Sequence, residues 1–318
     1  MIITFVGNHE VDYSTESHHA KTFEKMGHKV IRIQENKTNK NEVMENVVKS
    51  DMLYHTHTHG DNWRIEGIKD VYAELKKRGI PSVGYHLDLF KGIEREILID
   101  IDPYWNIEYF FTVDKLFVPD LEKRGIKAFY LPPGVFEDEC YFGEKRPELQ
   151  QDVVFVGSRG YHPEWAYRPQ LIEWLEKTYG DRFTQWGGGG KGTIRGKDLN
   201  DLYASAKVVI GDTLCKGFDY PYYFSDRLFE ATGRGAFMIF PYIKGLEDHF
   251  KLEGSDRELV TYKFGDFDGL KRTIDLYLDN EEERELIRLR GNLRARTDHT
   301  YTKRLQYLLE TINNERKS

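Results

Sequence analysis

The chain has 318 residues, with 46 Lys+Arg against 53 Asp+Glu for a formal net charge of −7, and 39% of its residues are hydrophobic. This composition excludes wholesale disorder, a coiled coil and a collagen-like chain, and the length favours two domains over one core. No apolar run approaches the roughly 18 residues of a membrane span, and the acidic balance leaves room only for a local basic groove as a nucleic-acid footprint. The opening MIITFVGNHE has no basic, signal-like start, so IITFVG reads as a buried first strand ending in Gly7. Two cysteines, Cys140 and Cys215, argue against a disulfide framework and suit a reducing, cytoplasmic setting. After the loop NHEVDYSTES, whose Ser/Thr/Glu end suits a helix cap, HHAKTFEKMGHKV reads as a helix stopping near Gly27, and KVIRIQ as the next strand. The alternation continues through helix NKNEVMENVVKS, strand DMLYHTHTH, helix IKDVYAELKKRG, strands IPSVGYHLD and YFFTVD, helix LEKRG and strand KAFYLP. Strand–helix–strand repetition of this kind is the unit of a doubly wound parallel sheet.

From Pro132 to about Gln151 the texture turns rich in Pro, Gly and charge (PPGVFEDECYFGEKRPELQQ), as in a linker. The alternation then restarts: strand DVVFVG, helix RPQLIEWLEKTYG, strand RFTQWG, helix KDLNDLYASA, strand KVVIGD, helix SDRLFEATGRG, strand AFMIFP and helix FDGLKRTIDLYLD. A long charged helical stretch runs from Glu281 to about Asn314, with apolar positions at Leu286, Ile287, Leu289, Leu305, Leu308, Leu309 and Ile312. The expected organisation is a first domain over 1–135, a linker over 136–151, a second domain over 152–295, and a C-terminal helix over 296–318 returning to the first domain. Two such halves imply a cleft, with ligands beyond the carboxyl ends of the strands.

The segment SDRLFEATGRGAFMIF places Ser225 at a helix N-cap, Asp226 in the first turn and Glu230 about one turn on. A helix start offers unpaired N–H groups and positive partial charge, which suit a diphosphate. A carboxylate nearby suits the hydroxyls of a ribose. Taken alone, Glu230 also fits a solvated glutamate on an amphipathic helix.

This block resembles the C-terminal signature of GT-B glycosyltransferases, specifically family 4 and the related CgeB-like group, which carry an S-x-R-x-F-E-A-x-x-x-G-type run. GHKV, DMLYHTH, IPSVGYH, YLPPGV and VVFVGSRG resemble further segments of those proteins, in the same order, across nearly the whole chain. The resemblance implies an α/β fold of two Rossmann-like doubly wound domains facing each other across a cleft. It makes Glu230 the carboxylate on the nucleotide ribose and puts Ser225 and Arg227 near the diphosphate. Gly157 and Ser158 stand where the family has Gly-Arg, with Arg159 one place late. Arg168 stands where a diphosphate-binding Lys is usual, a role its bidentate fork can fill. His86 matches a histidine that approaches the donor sugar. One position departs: family 4 has a glutamate eight residues before the ribose carboxylate, and here that residue is Tyr222. Asp219 could substitute from the loop, and Asp88 is an alternative base for an inverting reaction.

In YHTHTHGD, alternation puts His55, His57 and His59 on one face of an extended segment. Ligands two apart on a strand lie roughly 6–7 Å from one another, too far for comfortable sharing of one ion. A lining of the acceptor cleft by His57 and His59 is therefore preferred to a metal site. In TQWGGGGKGTIRG, Trp186 can stack on a base or fill the core, and Gly187 to Gly190 permit close backbone approach where the family holds its nucleotide base. Lys191 is followed by Gly192, so a P-loop does not fit. The loop after Gly7, with Asn8, His9, Glu10, Tyr13, Ser14 and Thr15, is assigned to the acceptor or the donor phosphate. The function implied is hexosyl or pentosyl transfer from a nucleotide-diphosphate sugar to an acceptor hydroxyl, with no metal and no cofactor beyond that co-substrate. The alternatives are a phage-type glycosyltransferase acting on hydroxymethylpyrimidine bases of DNA, a catalytically inactive nucleotide-sugar-binding shell, and a sugar epimerase of the same shape.

Overall fold

Strand β1 (Ile2–Gly7) has no polar–apolar alternation, and Ile3, Phe5 and Val6 are fully buried. A strand covered by helices on both faces of a parallel sheet requires that pattern. The computed structural model describes residues 1–56, 65–89, 91–160, 166–213 and 220–317. The chain divides into two units, Met1–Pro132 with Tyr301–Ser318, and Pro133–Thr300.

In the first unit β1 is followed by α1 (Thr15–Lys25), β2 (Lys29–Gln34), α2 (Lys40–Val47), β3 (Met52–His55), α3 (Ile68–Arg78), β4 (Ser82–His86), β5 (Tyr109–Thr112), α4 (Val118–Lys123) and β6 (Lys127–Tyr130). The sheet order is β2-β1-β3-β4-β5-β6, and every pairing is parallel. Its switch point lies between β1 and β3, whose carboxyl ends meet at the pair Val6 and His55. Helix α1 starts three residues before HHAKTFEK, because Ser14 caps it by accepting the N–H of Ser17 at 3.1 Å.

The second unit contains β7 (Gln151–Val156), α5 (Tyr167–Tyr179), β8 (Phe183–Trp186), α6 (Gly196–Ser205), β9 (Ala206–Ile210), α7 (Asp226–Gly233), β10 (Met238–Pro241), β11 (Val260–Tyr262), α8 (Phe267–Asp279) and α9 (Glu281–Asp298). Its parallel sheet runs β11-β10-β9-β7-β8. Side chains of β7 alternate between two cores: Val154 and Val156 join Leu202, Leu228 and Phe229, while Val153 and Phe155 join Leu171, Ile172 and Ile274. The edge strand β11, only VTY, is too short to announce itself by periodicity.

The structure adds detail to the linker and to the C-terminal helices. Segment 136–151 is stitched to the second unit and is not a loose strap. Asn200 Nδ2 donates to the carbonyls of Glu139 and Tyr141 at 2.9 and 2.8 Å, and Ser205 Oγ accepts the N–H of Arg146 at 2.8 Å. A Cβ at Gly143 would sit 2.2 Å from the backbone of Asn200, so only glycine lets the strap lie this close. The long helical stretch is also two helices. His299 N–H closes α9 on Ala295 O at 2.9 Å, and its ring donates to His249 O at 2.9 Å. Beyond that break α10 (Tyr301–Glu315) belongs to the first unit, where Tyr301 meets the His19 ring edge-on at 4.5 Å and Glu315 pairs with Lys127 at 3.2 Å.

Candidate functional site

The switch point of the second sheet lies between β7 and β9, where a doubly wound sheet offers a crevice beyond its strand ends. Two glycine-bearing loops are zipped together there. Gly157 N–H donates to Trp186 O at 2.7 Å and Arg159 N–H to Gly188 O at 2.9 Å. Gly188 N–H donates to Ser158 Oγ at 3.3 Å, and Gln185 Nε2 donates to Gly157 O at 2.6 Å. A Cβ on Gly187 would meet the carbonyl of Gly157 at 2.6 Å, and its φ of +118° is itself unsuited to other residues. The result is a floor in which the backbones of the two loops lie directly against each other.

Helix α7 starts beside this floor. Arg227 is half-buried, and its guanidinium lies so close to Gly157 that a Cβ there would be 3.2 Å from Nη1. No carboxylate or carbonyl among the described residues takes a hydrogen bond or ion pair from that guanidinium. Burial works against its charge, but the nearby Asp226 and Asp212 outweigh this and keep its pKa raised. Glu230, three residues on and therefore on the same face, is half-buried and also lacks a side-chain partner among the described residues. Burial pushes its carboxyl up to about 7, and the like charge of Asp226 one turn earlier adds to the rise against Arg234 and Arg227. An unsatisfied carboxylate beside an unsatisfied guanidinium is costly for a fold and useful for a ligand.

The helix start itself is less open than its sequence suggests. Arg227 N–H is already accepted by Asp226 Oδ1 at 2.8 Å and Ser225 Oγ at 3.4 Å, so a carboxylate occupies the turn expected to receive an anion.

The other two arginines carry ion pairs in this structure. Arg168, only 5% exposed, forms a bidentate pair with buried Asp212, Nε to Oδ2 at 2.6 Å and Nη2 to Oδ1 at 3.2 Å, and its Nη1 donates to Ser158 O at 3.2 Å. It braces the loop after β7. Asp212 escaped the sequence reading, although its place at the end of KVVIGD, a strand carboxyl end, was the available signal. Arg159 is ion-paired with Glu176. Trp186, at the end of β8, packs against the core containing Val156 and Leu202, with Lys191 Nζ 5.9 Å from its ring centroid. Tyr222, at the position of the family's first glutamate, has φ +59°, the sole positive φ outside glycine among the described residues. Its N–H is tied to Lys244 O at 2.9 Å, and its ring fills the space a Cβ on Gly245 would need. A bulky residue in this region is strained and persists only where its surroundings hold it. Asp219 lies outside the described residues.

In the first unit the expected residues are mostly built into the loops. His86, at the end of β4, is 7% exposed, with its ring 5.4 Å from that of Trp105; Asp88 follows, half-buried. Asn8 O accepts the Ser14 hydroxyl at 2.7 Å, and Glu10 is ion-paired with Lys37. His9 N–H donates to Gln34 Oε1 at 2.7 Å, while its Nε2 donates to Phe5 O at 3.1 Å. Nδ1 of His9 is buried without a partner, and burial lowers its pKa. His55 has both ring nitrogens engaged, Nε2 with Glu35 at 2.9 Å and Nδ1 with Tyr72 at 2.8 Å, so none is left for a cation or substrate. His57 and His59 lie outside the described residues.

Residues 168–310 match the model of a family described as glycosyl transferase-like. No curated protein matches the chain by sequence. Among solved structures, the chain is similar to Anabaena HepE in complex with UDP and glucose, at 12% identity and TM-score 0.66, covering 99% of this chain and 100% of that one. It is also similar to an alpha-glucosyltransferase in complex with UDP-glucose and DNA containing an abasic site, at 11% identity and TM-score 0.70, covering 98% of each chain. A glycosyltransferase from Rickettsia africae matches at 15% identity and TM-score 0.58, over 98% of this chain and 97% of that one. Identities this low speak for the fold alone. They support the two-domain, Rossmann-like GT-B fold for the chain, of which residues 168–310 are similar to the glycosyl transferase-like family.

Proposed function

We propose that the chain transfers a hexosyl or pentosyl unit from a nucleoside-diphosphate sugar to an acceptor hydroxyl, with the donor held on the second unit. Glu230 accepts hydrogen bonds from the ribose hydroxyls, and Arg227 neutralises the diphosphate where the Gly157 and Gly187 backbone lets it approach. Ser158 and the start of α7 at Ser225 flank that position. Trp186 borders the base, and Tyr222 takes the place of the family's first glutamate near the transferred sugar. Arg168 acts through Asp212 and Ser158, holding the loop and not the phosphate. On the first unit His86 and Asp88 are the candidates for handling the acceptor proton, and Asn8, His9, Glu10 and Ser14 for shaping the acceptor's surroundings.

The observation that carries this reading is the pair Arg227 and Glu230, two oppositely charged groups on one helix face, each without a partner among the described residues. The direct test is release of nucleoside diphosphate from a panel of nucleotide sugars, with and without acceptors. Turnover with one donor and an acceptor is expected, and Glu230→Ala should raise the donor KM more than it lowers kcat. Absence of both binding and release across the panel refutes the proposal, whereas binding without release selects the inactive shell.

A DNA acceptor is the second reading, suggested by the structural neighbour solved with DNA. Retention on duplex DNA that falls steeply with salt supports it, because phosphate contacts are lost as counterions compete.

A further inference from the structure

Helix α9 turns its leucines outward. Leu286, Leu289 and Leu293 are 44%, 48% and 55% exposed, whereas Arg284 and Asn292 on the same helix are 5% and 2% exposed. The buried polar residues have internal duties. Arg284 Nη1 donates to Tyr277 O at 2.5 Å, and Asn292 Nδ2 to Gly233 O at 2.6 Å. The leucines have none.

At about 100° per residue, Glu282, Leu286, Leu289, Leu293 and Arg296 fall within a sector of about 80°. Ile287, Gly291 and Ala295, all buried, occupy the opposite side. The exposed stripe is acidic at its amino end, where Glu281, Glu282 and Glu283 are exposed, and basic at its carboxyl end, where Arg296 is exposed. Neither Glu282 nor Arg296 has an ion pair among the described residues.

We propose that this face of α9 is the contact of a homodimer, in which two copies of the helix pack antiparallel about a twofold axis at Leu289. A twofold contact must be self-complementary, and the order of residues meets that demand. A twofold rotation at Leu289 sets Glu282 against the partner's Arg296 and Leu289 on its own copy, and leaves Leu286 one residue, about 1.5 Å along the axis, from the partner's Leu293. A parallel pairing would instead oppose Glu282 to Glu282 and Arg296 to Arg296, so the charges select the antiparallel sense. The stripe is about 21 Å long, and one helix face buries less than the roughly 800 Å² per partner of a standard interface. The dimer therefore dissociates on dilution.

Sedimentation velocity over a dilution series tests this with the full chain, each variant's thermal unfolding being recorded to show that it is folded. Wild type should move from one to two chain masses as concentration rises, and Leu289→Glu should remain a monomer. Glu282→Arg and Arg296→Glu should each weaken association about tenfold or more, since each places two like-charge contacts across the axis. The double variant, which restores opposite charges in the same register, should regain most of the wild-type affinity. A wild type that stays monomeric to sub-millimolar concentration overturns the proposal. So does association unchanged in Leu289→Glu, or a double variant no better than either single one.

Discussion

Replacing Glu230 with Gln should make the protein more stable and a poorer binder of its donor. The carboxyl is held at about 7 against an ordinary 4.5, chiefly by burial and then by Asp226. A raised carboxyl stabilises the fold while it keeps its proton. That contribution is full below pH 4.5 and is lost as pH rises through 7. By pH 8 the ionised side chain costs up to about 3 kcal/mol relative to the unfolded chain, at 1.36 kcal/mol per unit of pKa. Glutamine carries no such cost, so Glu230→Gln should raise the unfolding midpoint at pH 8 by several degrees and change it little at pH 4. The same substitution replaces charge-assisted hydrogen bonds to the ribose by weaker ones. A loss of about 1.5–3 kcal/mol corresponds to a donor affinity lower by about 10- to 100-fold. Melting scans at the two pH values, with and without a nucleoside diphosphate, read both effects from one preparation. A variant that is less stable at pH 8 and binds as tightly as wild type would refute the reasoning, for Glu230 would then be an ordinary structural carboxylate.

Other outcomes follow from the same geometry. Arg227→Met should weaken nucleoside diphosphate by about 1.5–3 kcal/mol while sparing the affinity for the corresponding nucleoside, which competition binding measures; equal loss for both would remove the arginine from the phosphate. Arg168→Met strands buried Asp212 and should cost about 3–5 kcal/mol of stability in a denaturant titration, and a merely surface arginine would cost next to nothing. Gly187→Ala brings a methyl group to 2.6 Å from the Gly157 carbonyl at a φ of +118°. It should lower both stability, by about 1–3 kcal/mol, and donor affinity, and a neutral result would show that the two loops do not need their close approach.

Much of this was legible in local sequence. Alternating apolar runs and capped helices announced two doubly wound sheets, and Ser225, Asp226 and Glu230 announced a helix start with a carboxylate one turn on. Pairings distant in sequence were not legible. Arg168 and Arg159 look alike as cations, and only the fold brings Asp212 and Glu176 to them. The same holds for His55, whose partners Glu35 and Tyr72 come from other elements and turn a conceivable ligand into a core residue. The break at His299 depends on His249 and Val135, so helical spacing alone ran through it. Arg227 differs from Arg168 and Arg159 by what fails to reach it, and no local pattern reports that.

Calorimetric titration of the wild-type chain, Arg227→Met and Glu230→Gln with UDP, GDP and dTDP tests the central claim most directly. One nucleotide should bind at a single site in the wild type, and both variants should bind it at least about tenfold more weakly. Binding of equal strength in all three proteins, or of none of the nucleotides to the wild type, would contradict the assignment of helix α7 as the seat of the donor.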